Sequence, residues 1–177
     1  MLHVSQLAEA LGLTAPPGRS AAREGEEALV VLRAWVDALG AATWEALLVP
    51  TPARGRSLRN LTVNVFHPFE LLPAAWTRGE FPWRPEDDRA REELLDGRDD
   101  LLAFAVGAAD GWRGFLAGDD VDGGDPVVES PRGPVSFSAL VSFQRWHAAY
   151  HYRQLVHVLG VEAAPVLDGL ALPLDVF

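Results

Sequence analysis

Two histidines four residues apart, His147 and His151, are the residues of this sequence best suited to chemistry. In a helix, a spacing of four places two imidazoles on one face, where both can bind one metal ion. A third histidine, His67, lies far upstream in an apolar stretch. Three imidazoles that leave coordination positions open describe a metal site capable of catalysis. The alternative is that all three are core histidines bonded to neighbouring polar groups.

The composition narrows the chemistry that the chain can perform. There is no cysteine among the 177 residues, which excludes a disulfide framework, a thiolate metal cluster and a cysteine nucleophile. All 15 basic residues are arginine, so a lysine base or a lysine Schiff base is excluded as well. Histidine, carboxylates, hydroxyls and arginine remain. Any thiol chemistry must therefore use an external thiol.

The charge and the hydropathy predict which partners the chain lacks. A net charge of -10 opposes binding to a phosphate backbone, so we expect no nucleic-acid partner. Residues 4–14 are similar to the start of a helix-turn-helix, but Pro16, Pro17 and Gly18 follow where a recognition helix would begin, which favours a short docking helix. Neither a membrane-spanning run nor a secretory signal pattern is evident. We expect a cytoplasmic protein with no membrane partner.

Apolar periodicity predicts four helical segments that would position the histidines. We expect an all-α four-helix bundle in a single domain, 1–177, with a short N-terminal appendage at 1–20 and a C-terminal tail at 161–177. Metal and ligand sites in such bundles are built from facing helices. The four segments are 23–48, 57–76, 86–116 and 136–160. Ser57 is the expected N-cap of the second, and Ser136 or Ser138 that of the fourth, which ends at Gly160. The third has an acidic start, and its glycines make its continuity uncertain. A long glycine- and proline-rich loop at 118–134, with a short extended piece at 127–129, joins the last two segments.

Helical phase separates the five histidines. The stripe through positions 140, 144, 147, 151, 155 and 158 is mainly apolar, so we expect His147 and His151 to face the core. His157 lies about 280° round the helix from His147 and points off that face. His3 lies in the N-terminal appendage. His67 can join the pair only if the second and fourth segments are neighbours.

Two sequence blocks resemble a known family. The first is Ser57-Leu-Arg-Asn-Leu-Thr-Val-Asn-Val-Phe-His67, and the second is the segment 136–155, which carries His-x-x-x-His followed by Gln-Leu. Both are similar to the DinB-like proteins, related to mycothiol-dependent maleylpyruvate isomerases and bacillithiol transferases, which are four-helix bundles with a three-histidine metal site. The similarity in order and spacing extends over 23–160, with Tyr150, Arg153 and Pro68 as departures from the family pattern.

The resemblance implies roles for specific residues. It makes His67, His147 and His151 the metal ligands, with zinc the expected ion and nickel, iron or copper also suited to imidazole ligation. Independently of the resemblance, helical spacing makes Asn64, Glu70 and Gln144 candidates for fixing the imidazole tautomers, the alternative being that they are polar residues of a helix surface or of the end of the bundle. Tyr150 and Arg153 are the candidates for binding an acidic thiol or a substrate carboxylate, although both side chains are equally compatible with a solvated surface.

The resemblance also implies a function. It favours a metal-dependent thiol transferase or a related isomerase that uses a low-molecular-weight thiol, mycothiol or bacillithiol, against an electrophilic substrate. Two alternatives stay open: a non-catalytic, stress-associated module that binds a metal or a ligand, and a metal-dependent hydrolase. Relatives often form dimers, so a homodimer is the expected assembly.

Overall fold

The computed structural model describes residues 20–51, 55–118, 121 and 124–162, and this part of the chain is mostly helical. The predicted N-terminal appendage, apart from Ser20, and the predicted tail beyond Glu162 lie outside the described residues. Among the described residues, no helix combines the length and the apolar character needed to cross a membrane.

Six helices and one antiparallel hairpin are present in the described residues. In chain order they are α1 (Ala21–Ala41), α2 (Trp44–Leu47), α3 (Leu58–Arg78), α4 (Pro85–Glu93), α5 (Arg98–Leu116), β1 (Val127–Ser130), β2 (Gly133–Ser136) and α6 (Phe137–Leu159). The four long helices form a closed ring of contacts, in which α1 packs on α6 and α5, and α3 packs on the same two helices. Helices α3 and α6, which carry His67 and the histidine pair, are therefore neighbours.

The predicted starts of these two helices and the predicted end of α6 are confirmed, whereas α3 runs two residues past the predicted end at Trp76, to Arg78. The Ser57 hydroxyl accepts a hydrogen bond from the Asn60 N–H at 3.1 Å, and the Ser136 hydroxyl accepts one from the Ala139 N–H at 3.2 Å. Each cap satisfies a backbone donor that the first turn leaves unpaired. Gly160 ends α6 with φ 64, in the left-handed region that glycine adopts without strain.

The predicted first and third segments are each broken into two helices. The first stops at Ala41 because Ala42 is extended, and Thr43 then caps α2 through a bond from the Ala46 N–H. The third is interrupted between α4 and α5, where Gly97 is extended as the residue before α5. The predicted all-α fold is also incomplete, because the extended piece expected at 127–129 belongs to β1, which pairs with β2.

The hairpin fixes the direction of α6 relative to α3. The Phe81 N–H donates to the Glu129 carbonyl at 2.7 Å, and the Glu129 N–H donates to the Gly79 carbonyl at 2.8 Å. These bonds tie the end of α3 to β1, and β2 leads directly into α6. The end of α3 therefore lies near the start of α6, and the two helices run antiparallel.

Buried contacts with α1 fix the rotation of α6 about its axis. The Arg145 guanidinium donates to the buried Glu24 carboxylate at 2.7 Å, and the Tyr152 ring packs on Trp35 with centroids 6.2 Å apart. Because Arg145 and Tyr152 face α1, His147 and His151 lie at the border of the buried face and are half-buried. Their position is less central than the apolar stripe predicts.

Candidate metal centre

The antiparallel arrangement places the three histidines at similar heights. His67 lies about 16 Å along the helix axis from the end of α3 at Arg78, at 1.5 Å per residue. By the same rise, His147 and His151 lie about 15 and 21 Å from the start of α6 at Phe137. Since the end of α3 and the start of α6 are joined through the hairpin, this rise indicates that His67 lies near the level of His147, with His151 about one turn further along α6.

The pair on α6 is in direct contact. The rings of His147 and His151 meet edge to face, with centroids 4.6 Å apart and an interplanar angle of 88°. His151 Nδ1 lies 2.7 Å from Gln154 Oε1, an amide oxygen that accepts the ring N–H. This bond assigns the proton of a neutral His151 to Nδ1 and the lone pair to Nε2.

His147 differs from His151 because its Nδ1 is buried and has no hydrogen-bond partner among the described residues. Leaving a buried polar atom unpaired costs about 1–3 kcal/mol. Burial is the largest cause that lowers the pKa of His147 to about 3, followed by the charges of His151, Arg56 and Arg132. His147 is therefore neutral at physiological pH, which is the state that a metal ligand requires.

His67 has a carboxylate partner on another helix. His67 Nδ1 lies 2.8 Å from Asp88 Oδ1, and both side chains are buried. The same carboxylate accepts hydrogen bonds from Asn64 Nδ2 at 2.7 Å and from Trp83 Nε1 at 3.0 Å. Three donors thus converge on one carboxylate, which holds the His67 ring in place.

The Asp88 contact gives His67 the tautomer that suits a metal ligand. A proton on Nδ1 directed at a carboxylate leaves the lone pair on Nε2, and histidine ligands are commonly oriented by such a carboxylate. Of the residues predicted to fix tautomers, Asn64 does not contact His67 through a hydrogen bond but donates to Asp88, which holds the His67 ring. Glu70 instead pairs with Arg91 at 2.6 Å, and Gln144 is buried in α6.

Sequence reasoning missed Asp88 and Trp83. The acidic run that contains Asp88 is explained equally well by the favourable position of acids in the first turn of α4. Its neighbour Asp87 is exposed while Asp88 is 5% exposed, and this difference depends on how α4 lies against α3. No signal in the sequence separates the two.

The imidazoles of His67, His147 and His151 are suitable ligands for a metal ion, but the structure does not bring all three together. Within the described parts of the chain, no three His, Asp or Glu side chains lie together in a position to hold one ion. The structure brings His147 and His151 together and gives His67 its own partner, Asp88.

Tyr150, predicted from the sequence as a candidate for binding a thiol or a carboxylate, lies beside the histidine pair. Its half-buried ring stacks on Trp146 with centroids 5.5 Å apart and meets the His151 ring at 5.1 Å. Arg153 is half-buried on the next turn of α6. The structure thus joins Tyr150 to the pair through ring contacts and places Arg153 only on the same helix.

Comparison of the chain with known protein families, with curated proteins and with solved structures gave no match.

Proposed function

We propose that this chain is a DinB-like four-helix bundle that binds a divalent metal ion through His67, His147 and His151 and uses it to activate an external thiol. The reaction would be thiol transfer to an electrophile or a thiol-assisted isomerisation. The closed ring of contacts among α1, α3, α5 and α6 supports the bundle. The similar positions of His67 and His147 along the axes of α3 and α6 support the metal site.

The observation that carries this proposal is the unpaired, buried Nδ1 of His147 beside the His151 ring. Two neighbouring imidazoles on one helix cannot both charge without repulsion, and burial opposes the charge of His147 further. A bound cation would give the imidazole nitrogens a partner and would stabilise the neutral state of both rings, because neutral imidazoles are good ligands for zinc.

The residues around the ligands have separate tasks. Asp88 orients His67 through the 2.8 Å contact, and Gln154 orients His151 through the 2.7 Å contact. When bound, a divalent ion among neutral imidazoles lowers the pKa of a thiol or a water molecule. Because the chain has no cysteine, the thiol must come from solution, as mycothiol or bacillithiol would. Tyr150 would contact that ligand, and Arg153 would bind a carboxylate of the thiol or of the substrate.

A turnover assay tests the catalytic part of the proposal. Zinc-loaded and nickel-loaded protein would be incubated with mycothiol or bacillithiol and the electrophile 1-chloro-2,4-dinitrobenzene, and the thioether product measured. We expect turnover that depends on metal, is lost in His147→Ala and is retained in His157→Ala, whose side chain is exposed on the same helix.

The same assay separates the alternative functions. Metal binding without turnover with either thiol would refute the transferase and leave a binding module. Metal-dependent hydrolysis of an activated ester without any thiol would instead indicate a hydrolase.

A further inference from the structure

Helix α4 differs from α5 and α6, which also pack on α3, because it brings no apolar side chain to the core. None of the nine described residues of α4 belongs to the hydrophobic core, and of these nine only Asp88 is buried. The chain before and after α4 is anchored, since Phe81 and Leu95 are both buried in the core. Helix α4 itself is therefore attached to the bundle by something other than the hydrophobic effect.

Polar contacts hold α4 on α3 instead. The α3 partners recur at steps of three and four residues, so they lie along one face of that helix. Three side chains of α4 meet this face: Asp88 contacts His67 and Asn64, Arg91 contacts Glu70, and Glu92 contacts Asn60 and Arg59. The position of α4 thus depends on hydrogen bonds and ion pairs with α3.

These contacts differ in how far they are shielded from water. The Arg91 and Glu70 side chains meet at 2.6 Å but are 38% and 28% exposed, and an ion pair open to water adds little to stability. The Asp88 and His67 side chains are only 7% and 11% exposed. Breaking a buried contact of this kind leaves a carboxylate without a partner, which is costly. The contact with His67 is therefore the main attachment of α4.

Helix α4 is too short to persist without this attachment. A nine-residue helix is below the length of about 12–15 residues at which isolated helices become stable in water. Detachment from α3 would therefore unfold α4 and expose its backbone amides, while Phe81 and Leu95 keep the flanking chain in the core. Whatever strengthens the contact between His67 and Asp88 would keep α4 folded.

We infer that α4 is a detachable helix whose docking on α3 is coupled to the binding of a cation by His67. A cation bound at His67 Nε2 makes the ring N–H at Nδ1 a stronger donor to Asp88, which holds α4 more tightly. By linkage, docking of α4 strengthens the binding of that cation by the same factor. The inference rests on the proposed function for its ligand, whereas the attachment of α4 to His67 is measurable without a metal.

The first arm of the test measures amide hydrogen exchange in the metal-free chain. Amides at 89–95 should exchange at least tenfold faster than those in the middle of α3, because α4 opens without global unfolding. His67→Ala should speed the exchange at 89–95 about tenfold further, and Arg91→Gln about threefold. Arg89→Gln is the matched control, because Arg89 is exposed on the same helix, and it should leave the exchange unchanged.

The second arm repeats the exchange measurement at saturating zinc. Zinc should slow the exchange at 89–95 about tenfold in the unmodified chain and in Arg89→Gln. In Asp88→Ala the link between α4 and His67 is removed. Zinc bound to that variant, verified with a chromophoric chelator, should therefore leave the exchange of α4 unchanged.

The outcomes separate this coupling from the metal site itself. If zinc does not bind but His67→Ala releases α4, the metal proposal fails and the attachment of α4 through His67 stands. If α4 exchanges as slowly as α3, or if His67→Ala leaves its exchange unchanged, the inference is refuted. Zinc that binds to the unmodified chain without slowing the exchange of α4 would refute it as well. Urea unfolding of each variant verifies that the rest of the bundle is intact.

Discussion

Asp88 Oδ1 and His67 Nδ1 lie 2.8 Å apart, joining α4 to α3 in a buried contact. The carboxylate also receives the Asn64 amide and the Trp83 indole N–H, so three donors fix its position. The orientation of His67 is thus set by a residue 21 positions further along the chain. This makes Asp88 a positioning residue for the proposed metal site.

Replacing Asp88 by asparagine should weaken metal binding. Asparagine is nearly isosteric, but it is neutral, and its amide N–H₂ would oppose the donor of Asn64. We expect zinc affinity, measured by competition with a chromophoric chelator, to fall about 10- to 100-fold. Asp87→Asn, at the exposed neighbouring position, should leave the affinity unchanged. Equal affinities in both variants would exclude a positioning role for Asp88.

The buried state of His147 should make the metal-free protein less stable in acid. The pKa of His147 is lowered from 6.5 to about 3 in the folded chain, mainly by burial and then by the charge of His151. Because the unfolded chain takes up this proton first, the stability that neutral His147 retains at pH 7 is lost progressively below about pH 6.5. Between pH 7 and 5 this loss should be about 2 kcal/mol.

Urea unfolding in the presence of a chelator measures this effect. The free energy of unfolding of the unmodified chain should fall more steeply between pH 7 and 5 than that of His147→Gln, which cannot take up a proton. Parallel pH profiles for the two proteins would show that His147 titrates normally in the folded chain.

The ion pair between Glu24 and Arg145 should be important for packing α1 on α6. The Glu24 side chain is fully buried and the two side chains meet at 2.7 Å. Glu24→Ala would leave the buried Arg145 guanidinium with Glu27, 3.3 Å away, as its carboxylate partner in the part of the chain that the structure describes. The substitution should therefore destabilise the protein by about 3 kcal/mol in thermal or urea unfolding. Asp110→Ala removes the exposed pair with Arg113 and should change stability by less than about 1 kcal/mol. Similar losses would mean that Glu24 contributes no more than a surface charge.

Two glycine substitutions should act in opposite directions. A Cβ at Gly25 would lie 2.6 Å from Leu116 Cδ2 and 2.9 Å from Trp112 Cζ2, so Gly25→Ala should cost about 1–3 kcal/mol through overpacking. A Cβ at Gly107 meets nothing within 4 Å, so Gly107→Ala should stabilise α5 by about 0.5–1 kcal/mol. Stabilisation by both would indicate that α5 packs less closely on α1 than the structure describes.

Local signals in the sequence were sufficient to place α3 and α6. Ser57, Ser136 and Gly160 act within one turn of their own position, so their residue types predict the helix ends directly. Where local signals competed, the prediction was less accurate: Thr43 fits the apolar spacing of α1, yet it caps α2 instead. The charged segment of α4 likewise ends before Gly97.

The surroundings of the histidines depend on tertiary contacts that spacing does not encode. The spacing of His147 and His151 predicts their ring contact, because both belong to one helix. The approach of Asp88 to His67, and of Arg132 to the Phe143 ring beside His147, depends on how α4 and the hairpin pack on α3 and α6. Helical periodicity reports only the phase within one helix, so these partners could not be predicted from it.

Metal stoichiometry tests the central claim most directly. Purified protein, loaded with zinc and dialysed, would be compared with His67→Ala, His147→Ala, His151→Ala and the control His157→Ala by elemental analysis. The proposed site predicts one zinc per chain in the unmodified protein and in His157→Ala, and much less in the other three variants. Equal zinc in the unmodified protein and in His147→Ala would contradict the proposed metal site.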